Sequence, residues 1–144
     1  MDSRIRARLV FHGAVVVLLG LFAGFPHAFV LTGQIAGEER AWRMAHLEGL
    51  LNGMLTMLAG AAGGSIVLSA RQQRWLFWSF AAAAYGNVVA SVVGASFGVR
   101  GLALEAPPAN ALVNLLFWVA IAGVFAGVGL VIAGAAAAVR AERR

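Results

Sequence analysis

Four long apolar runs fill almost all of this chain, at roughly 9–31, 44–68, 75–97 and 111–139. Each reaches or exceeds the ~20 residues that a helix needs to cross the hydrocarbon core of a bilayer. A backbone in lipid must satisfy its own hydrogen bonds, so spans of this kind are helical. The runs predict an all-α membrane protein, an antiparallel four-transmembrane-helix bundle, with residues 1–144 forming a single integral membrane domain. With 61% of residues hydrophobic and 12% charged, the helices lack the polar faces of a soluble bundle. The first run follows Arg4, Arg6 and Arg8, as the apolar part of a signal peptide would. It is too long for one, however, and ends in Phe25-Pro26-His27 instead of a small-residue cleavage site, so it reads as a span.

Charge sets the expected orientation. All eleven cations are arginines. Arg4, Arg6, Arg8, Arg71, Arg74, Arg140, Arg143 and Arg144 fall on one side of the four runs, and Arg40, Arg43 and Arg100 on the other. The positive-inside rule then predicts both termini in the cytoplasm of a multi-pass protein of a bacterial inner (cytoplasmic) membrane. The net charge of +5 follows from this distribution and implies no nucleic-acid partner. The connection at 69–74 is short, so the second and third helices should be antiparallel neighbours. Pro107-Pro108 precedes the fourth span. With no cysteine, any metal must be held by His, carboxylate, Asn, Tyr or Met.

Polar side chains inside spans are functional candidates by default. His46 lies about one turn into the second helix. It is either a ligand, since neutral imidazole binds Fe, Zn or Cu near neutral pH, or an interfacial histidine bonded to a neighbour. His27 shares its layer and can be a second ligand, a partner of the first or a surface residue; His12 reads as interfacial at the inner end. Glu48 shares a helix face with Asn52. It can pair with Arg43 or a neighbouring helix, orient a ligand histidine or transfer a proton. Asn52 sits roughly 9 Å deeper than His46, and Asn87 roughly 18 Å up the third helix, so the two amides can meet, with Ser91 one turn beyond Asn87. Asn87 is either an interhelical clamp or a hydrogen-bonding group for substrate. Tyr85, nearly opposite it, can serve packing, acid or ligand roles. Gly49, Gly53, Gly60 and Gly64 form a stripe with His46, and Gly123 and Gly127 form a GxxxG pair. Such stripes allow close helix packing, or a flat cofactor lying on a smooth face. No hydrolase triad, P-loop or dinucleotide fingerprint is present, and no span has the dense polar lining of an ion path.

Ala45-His46-Leu47-Glu48-Gly49, followed by Asn52-Gly53, resembles the signature of the hydroxylaminobenzene mutases, as do Tyr85-Gly86-Asn87, Ser91 and the four-span layout. The pattern is also similar, less closely, to styrene oxide isomerase through Trp42, Ala45, His46, Asn52-Gly53 and Asn87. The resemblance implies a homotrimer of four-helix subunits with heme b near the subunit contacts. Residue by residue it implies His46 as the axial ligand of ferric iron, Gly49 and Gly53 beside the cofactor, and Asn52, Asn87, Ser91 and Glu48 as catalytic residues. Ser91 stands where the epoxide enzyme has a tyrosine, and Glu48 stands where it has the glycine. The expected activity is therefore rearrangement of an aryl hydroxylamine to an ortho-aminophenol. Isomerisation of an aryl epoxide to an aldehyde is the alternative. A non-catalytic membrane cytochrome b would need a second strong ligand, for which His27 is the visible candidate; a transporter or scaffold would need no cofactor.

Overall fold

The computed structural model describes residues 1–143, and these contain four long helices and no strand. Helix α1 spans Ser3–Leu31, α2 Glu39–Ala61, α3 Ala70–Phe97 and α4 Pro108–Glu142. Local chemistry accounts for the ends. The Asp2 carboxylate accepts the Arg4 and Ile5 N–H groups and so starts α1 inside the arginine-rich tail. Ser69 and Gln72 form a reciprocal capping box that starts α3. Gly98, at φ 64°, closes that helix in the left-handed region. Pro108 occupies the first turn of α4, where its missing N–H costs nothing.

The second apolar run is not one helix. α2 stops at Ala61, a 3-10 turn follows at Ala62–Ser65, and residues 66–69 are extended. Gly63 and Gly64 are weak helix formers, and the extended segment gains tertiary partners. Val67 N–H donates to the Gly134 carbonyl at 3.1 Å, and Ile66 and Leu68 are buried against the core. The inner connection is therefore 62–69, Arg71 and Arg74 ride on the start of α3, and Gly64 has left the glycine stripe.

Contacts fix the directions of the helices. Gly13 faces Gly53 and Met57, Gly20 faces Gly49 and Leu50, and Gly24 faces His46, so α1 and α2 run antiparallel. Gly86 faces Leu116 and Ala120, and Gly123 faces Ser79 and Ala83, so α3 and α4 do likewise. α1 and α3 run parallel, with Arg8 over the Phe77 ring and Val16 packed with Ala84 and Val88. The core consists mainly of Leu9, Leu76, Phe77 and Phe80 near the inner end.

Helices α1, α3 and α4 are each long and apolar enough to cross a membrane. α2 is not among them, because His46, Glu48 and Asn52 interrupt its apolar run. Phe125 is 76% exposed and Ile132 65%. Apolar surface on this scale is unsuited to water and suited to lipid, so this is a helical membrane protein.

Candidate functional site

His46 projects from α2 onto α1. Its Nδ1 lies 2.8 Å from the Gly20 carbonyl oxygen. A carbonyl only accepts, so Nδ1 carries the proton and donates it. In the neutral ring that leaves Nε2 as the basic nitrogen, and it has no hydrogen bond among the described residues. Ligand histidines in metal sites are commonly held in this way, one nitrogen anchored and the other presented. The His27 ring lies alongside, nearly parallel at 21° with centroids 6.5 Å apart. His27 Nε2 is buried without a hydrogen bond and faces Glu39 Oε1 at 3.5 Å. Glu39 also pairs with Arg43 at 3.6 Å.

Glu48 follows two residues after His46, which turns it about 200° around the helix axis. Its carboxylate therefore neither touches His46 nor pairs with Arg43. Instead Asn52 Nδ2 donates to Glu48 Oε2 at 2.7 Å and to the Glu48 carbonyl at 2.9 Å. The Asn52 Nδ2 group is thus engaged within its own helix, and no hydrogen bond joins Asn52 to Asn87. Asn87 is half-buried on α3, with no hydrogen bond among the described residues.

Glu48 and buried Ser91 line one cavity of about 390 Å³ between α2, α3 and α4. Val99, Arg100 and Leu102 of the 98–107 connection and Phe117 of α4 complete its wall. At the mouth, Arg100 approaches Glu38 at 3.9 Å. The connection is pinned by α4. The Asn110 side-chain oxygen accepts Gly101 N–H at 2.8 Å, and buried Asn114 Nδ2 donates to the Gly101 carbonyl at 2.8 Å. The cavity therefore joins apolar side chains with the Glu48 carboxylate and the Ser91 hydroxyl, and carries Glu38, Arg40 and Arg100 as well. Glu48 and Ser91 share it, Asn52 is bonded to Glu48 without lining it, and His46 stands on the other side of α2.

Two expectations change. Gly49 and Gly53 do not present a bare face to a cofactor. A Cβ on Gly49 would lie 2.7 Å from Gly20 N, and one on Gly53 would lie 2.6 Å from Val17 N, so α1 already fills that face. His12 is not simply interfacial: its Nδ1 lies 2.9 Å from the Tyr85 hydroxyl, in a polar pair between α1 and α3 flanked by Phe77. Tyr85 is thereby turned away from the cavity. Reading the residues missed the Gly20 carbonyl as the partner of His46 and missed both asparagines that pin the loop. A backbone carbonyl leaves no signal in side-chain identity.

The sequence profile of the styrene oxide isomerase family matches residues 5–136, which include every residue of the site. The chain belongs to the styrene oxide isomerase family. No curated protein matches it. That family is one of isomerases, which supports an isomerase activity for this chain. Among the described residues there is no cluster of three or more His, Asp or Glu that would hold a bare metal ion.

Proposed function

We propose that this styrene oxide isomerase family member converts a small aryl epoxide into the isomeric carbonyl compound, with heme b held by His46. The observation that carries the proposal is the anchored imidazole, Nδ1–H on the Gly20 carbonyl and Nε2 available, in a chain matched by that family over nearly its whole length. The donor set fits a heme better than a naked ion. A porphyrin brings its own equatorial nitrogens and asks the protein for an axial ligand, whereas a bare ion asks for three or four side chains. When bound, ferric heme supplies a Lewis acid for an oxygen lone pair. His46 would hold it, and Ser91 and the Glu48–Asn52 pair would orient the substrate in the cavity between α2, α3 and α4. The rearrangement is redox-neutral and needs no co-reactant.

In this reading all four helices cross the bilayer, α2 included, with both termini in the cytoplasm of a bacterial inner membrane. His46 and Glu48 lie on nearly opposite faces of α2, so one copy does not offer both to one substrate. An assembly that sets the cavity of one copy against His46 of the next would bring them together, and in this reading that assembly is a homotrimer.

One observation favours a second substrate class. The Glu48 carboxylate is an acceptor inside the cavity, and an epoxide has no N–H or O–H to give it. An aryl hydroxylamine has both, so the mutase reaction to an ortho-aminophenol suits this wall better. Purified full-length protein in mild detergent, assayed on styrene oxide and on phenylhydroxylamine, separates the two. Turnover of styrene oxide without turnover of phenylhydroxylamine supports the first reading; phenylhydroxylamine turnover that Glu48→Gln abolishes supports the second. His46→Ala should leave the protein without its Soret absorbance and inactive on both substrates. Normal heme content and activity in that variant would overturn the proposal.

A further inference from the structure

The glycines along the α1–α2 contact are of two kinds. A Cβ on Gly13 would meet Met57 Cγ at 2.6 Å and also Gly53 O and Met57 N, each at 2.7 Å, and a Cβ on Gly20 would meet Leu50 N at 2.7 Å. Main-chain atoms stand among the partners of both, so these glycines are there for helix approach. Gly24 differs. The three atoms nearest to its would-be Cβ all belong to the His46 ring: Nδ1 at 3.0 Å, Cε1 at 3.2 Å and Cγ at 3.7 Å. Helix–helix spacing does not require a glycine at such a position, and alanine is the better helix former. What the missing methyl gives is room for the imidazole to lie flat on α1 and bring Nδ1 within 2.8 Å of the Gly20 carbonyl.

We propose that Gly24 is a positioning residue for His46, selecting the ring orientation and tautomer that leave Nε2 as the ligating nitrogen. The inference rests on His46 as the cofactor ligand, but its first readout does not. A methyl at residue 24 pushes the ring by a few tenths of an ångström, directly at Nδ1. The Nδ1–H bond to Gly20 lengthens, and the tautomer with the proton on Nε2 gains population. That tautomer cannot ligate iron through Nε2 without losing its proton. Fold and site therefore respond in opposite directions at this one residue: alanine keeps or raises helix stability while it weakens the ligand.

The test uses full-length protein with ¹⁵N-labelled histidine, purified in detergent at one fixed pH, as wild type, Gly24→Ala and Gly24→Val. ¹⁵N chemical shifts report which nitrogen of His46 is protonated before any cofactor is added. Hemin is then titrated in, and thermal unfolding is measured in parallel. The expected result is an Nδ1–H tautomer in wild type, a shift towards Nε2–H that grows from alanine to valine, and hemin affinity lowered roughly tenfold. Gly24→Ala should unfold no earlier than wild type. An unchanged His46 tautomer in both variants overturns the proposal, and so does an early-unfolding Gly24→Ala protein with a wild-type tautomer, which would make Gly24 another packing glycine. If wild type binds no hemin, the cofactor reading fails separately, and the tautomer comparison still decides the role of Gly24.

Discussion

Replacing Gly49 with alanine puts the α1–α2 contact under direct stress. The new Cβ would lie 2.7 Å from Gly20 N and closer still to Gly20 Cα, whereas ordinary van der Waals contact begins at 3.4 Å. Both partners are main chain, so no rotamer change relieves the clash, and the helices must part by roughly 1 Å in an interior packed like a crystal. Overpacking on this scale costs about 1–3 kcal/mol, with each ~1.4 kcal/mol a factor of ten in the folded-to-unfolded ratio. The same displacement carries the His46–Gly20 hydrogen bond beyond the ~3.2 Å limit of an effective N–H···O contact, so cofactor affinity should fall along with stability. Gly129 supplies the control. A Cβ there meets nothing within 4 Å, and alanine is favoured over glycine in a helix by up to ~1 kcal/mol, so Gly129→Ala should be neutral or mildly stabilising. Thermal unfolding of the two purified proteins, followed by circular dichroism, gives the comparison. Equal stability of the Gly49→Ala and Gly129→Ala proteins would refute the claim that backbone approach at Gly20 and Gly49 sets the helix spacing.

The family resemblance implies a substrate-bonding amide at Asn87, which makes no hydrogen bond among the described residues, so Asn87→Ala should leave folding and heme content unchanged while lowering turnover about tenfold, the scale of one lost hydrogen bond; unchanged activity per folded molecule would show that Asn87 does not bond the substrate. Asn114→Ala strands the buried Gly101 carbonyl, so it should cost about 1–3 kcal/mol and speed hydrogen exchange across 98–107; exchange that stays at the wild-type rate would mean that Asn114 does not pin the loop. The arginine asymmetry predicts that a C-terminal reporter is active only on the cytoplasmic side, and activity only in the periplasm would invert the topology and place His46 at the opposite membrane face.

Several features were legible in the residues themselves. Apolar runs longer than a bilayer is thick admit only helices in lipid, so the helical class and the chemical candidates His46, Glu48, Asn52 and Ser91 could be read from composition and position. Trp42, Ala45, His46, Asn52-Gly53 and Asn87 carried the resemblance to the styrene oxide isomerase family, because side-chain identity is written in the sequence itself. The end of α2 was not legible, since Gly63 and Gly64 permit a break but do not demand one. The break is made by Val67 bonding to Gly134 and by Leu68 entering the core, contacts with a helix that follows much later in the chain. Nor could a single helix say what lies opposite each of its faces. Gly49 and Gly53 might have faced a cofactor or a neighbour, and only the approach of α1 decided for the neighbour. Identity alone marked His46 as able to bind a metal. The tertiary contact to the Gly20 carbonyl decided which nitrogen is free to do so, because a tautomer is set by the partner across the interface and not by the residue.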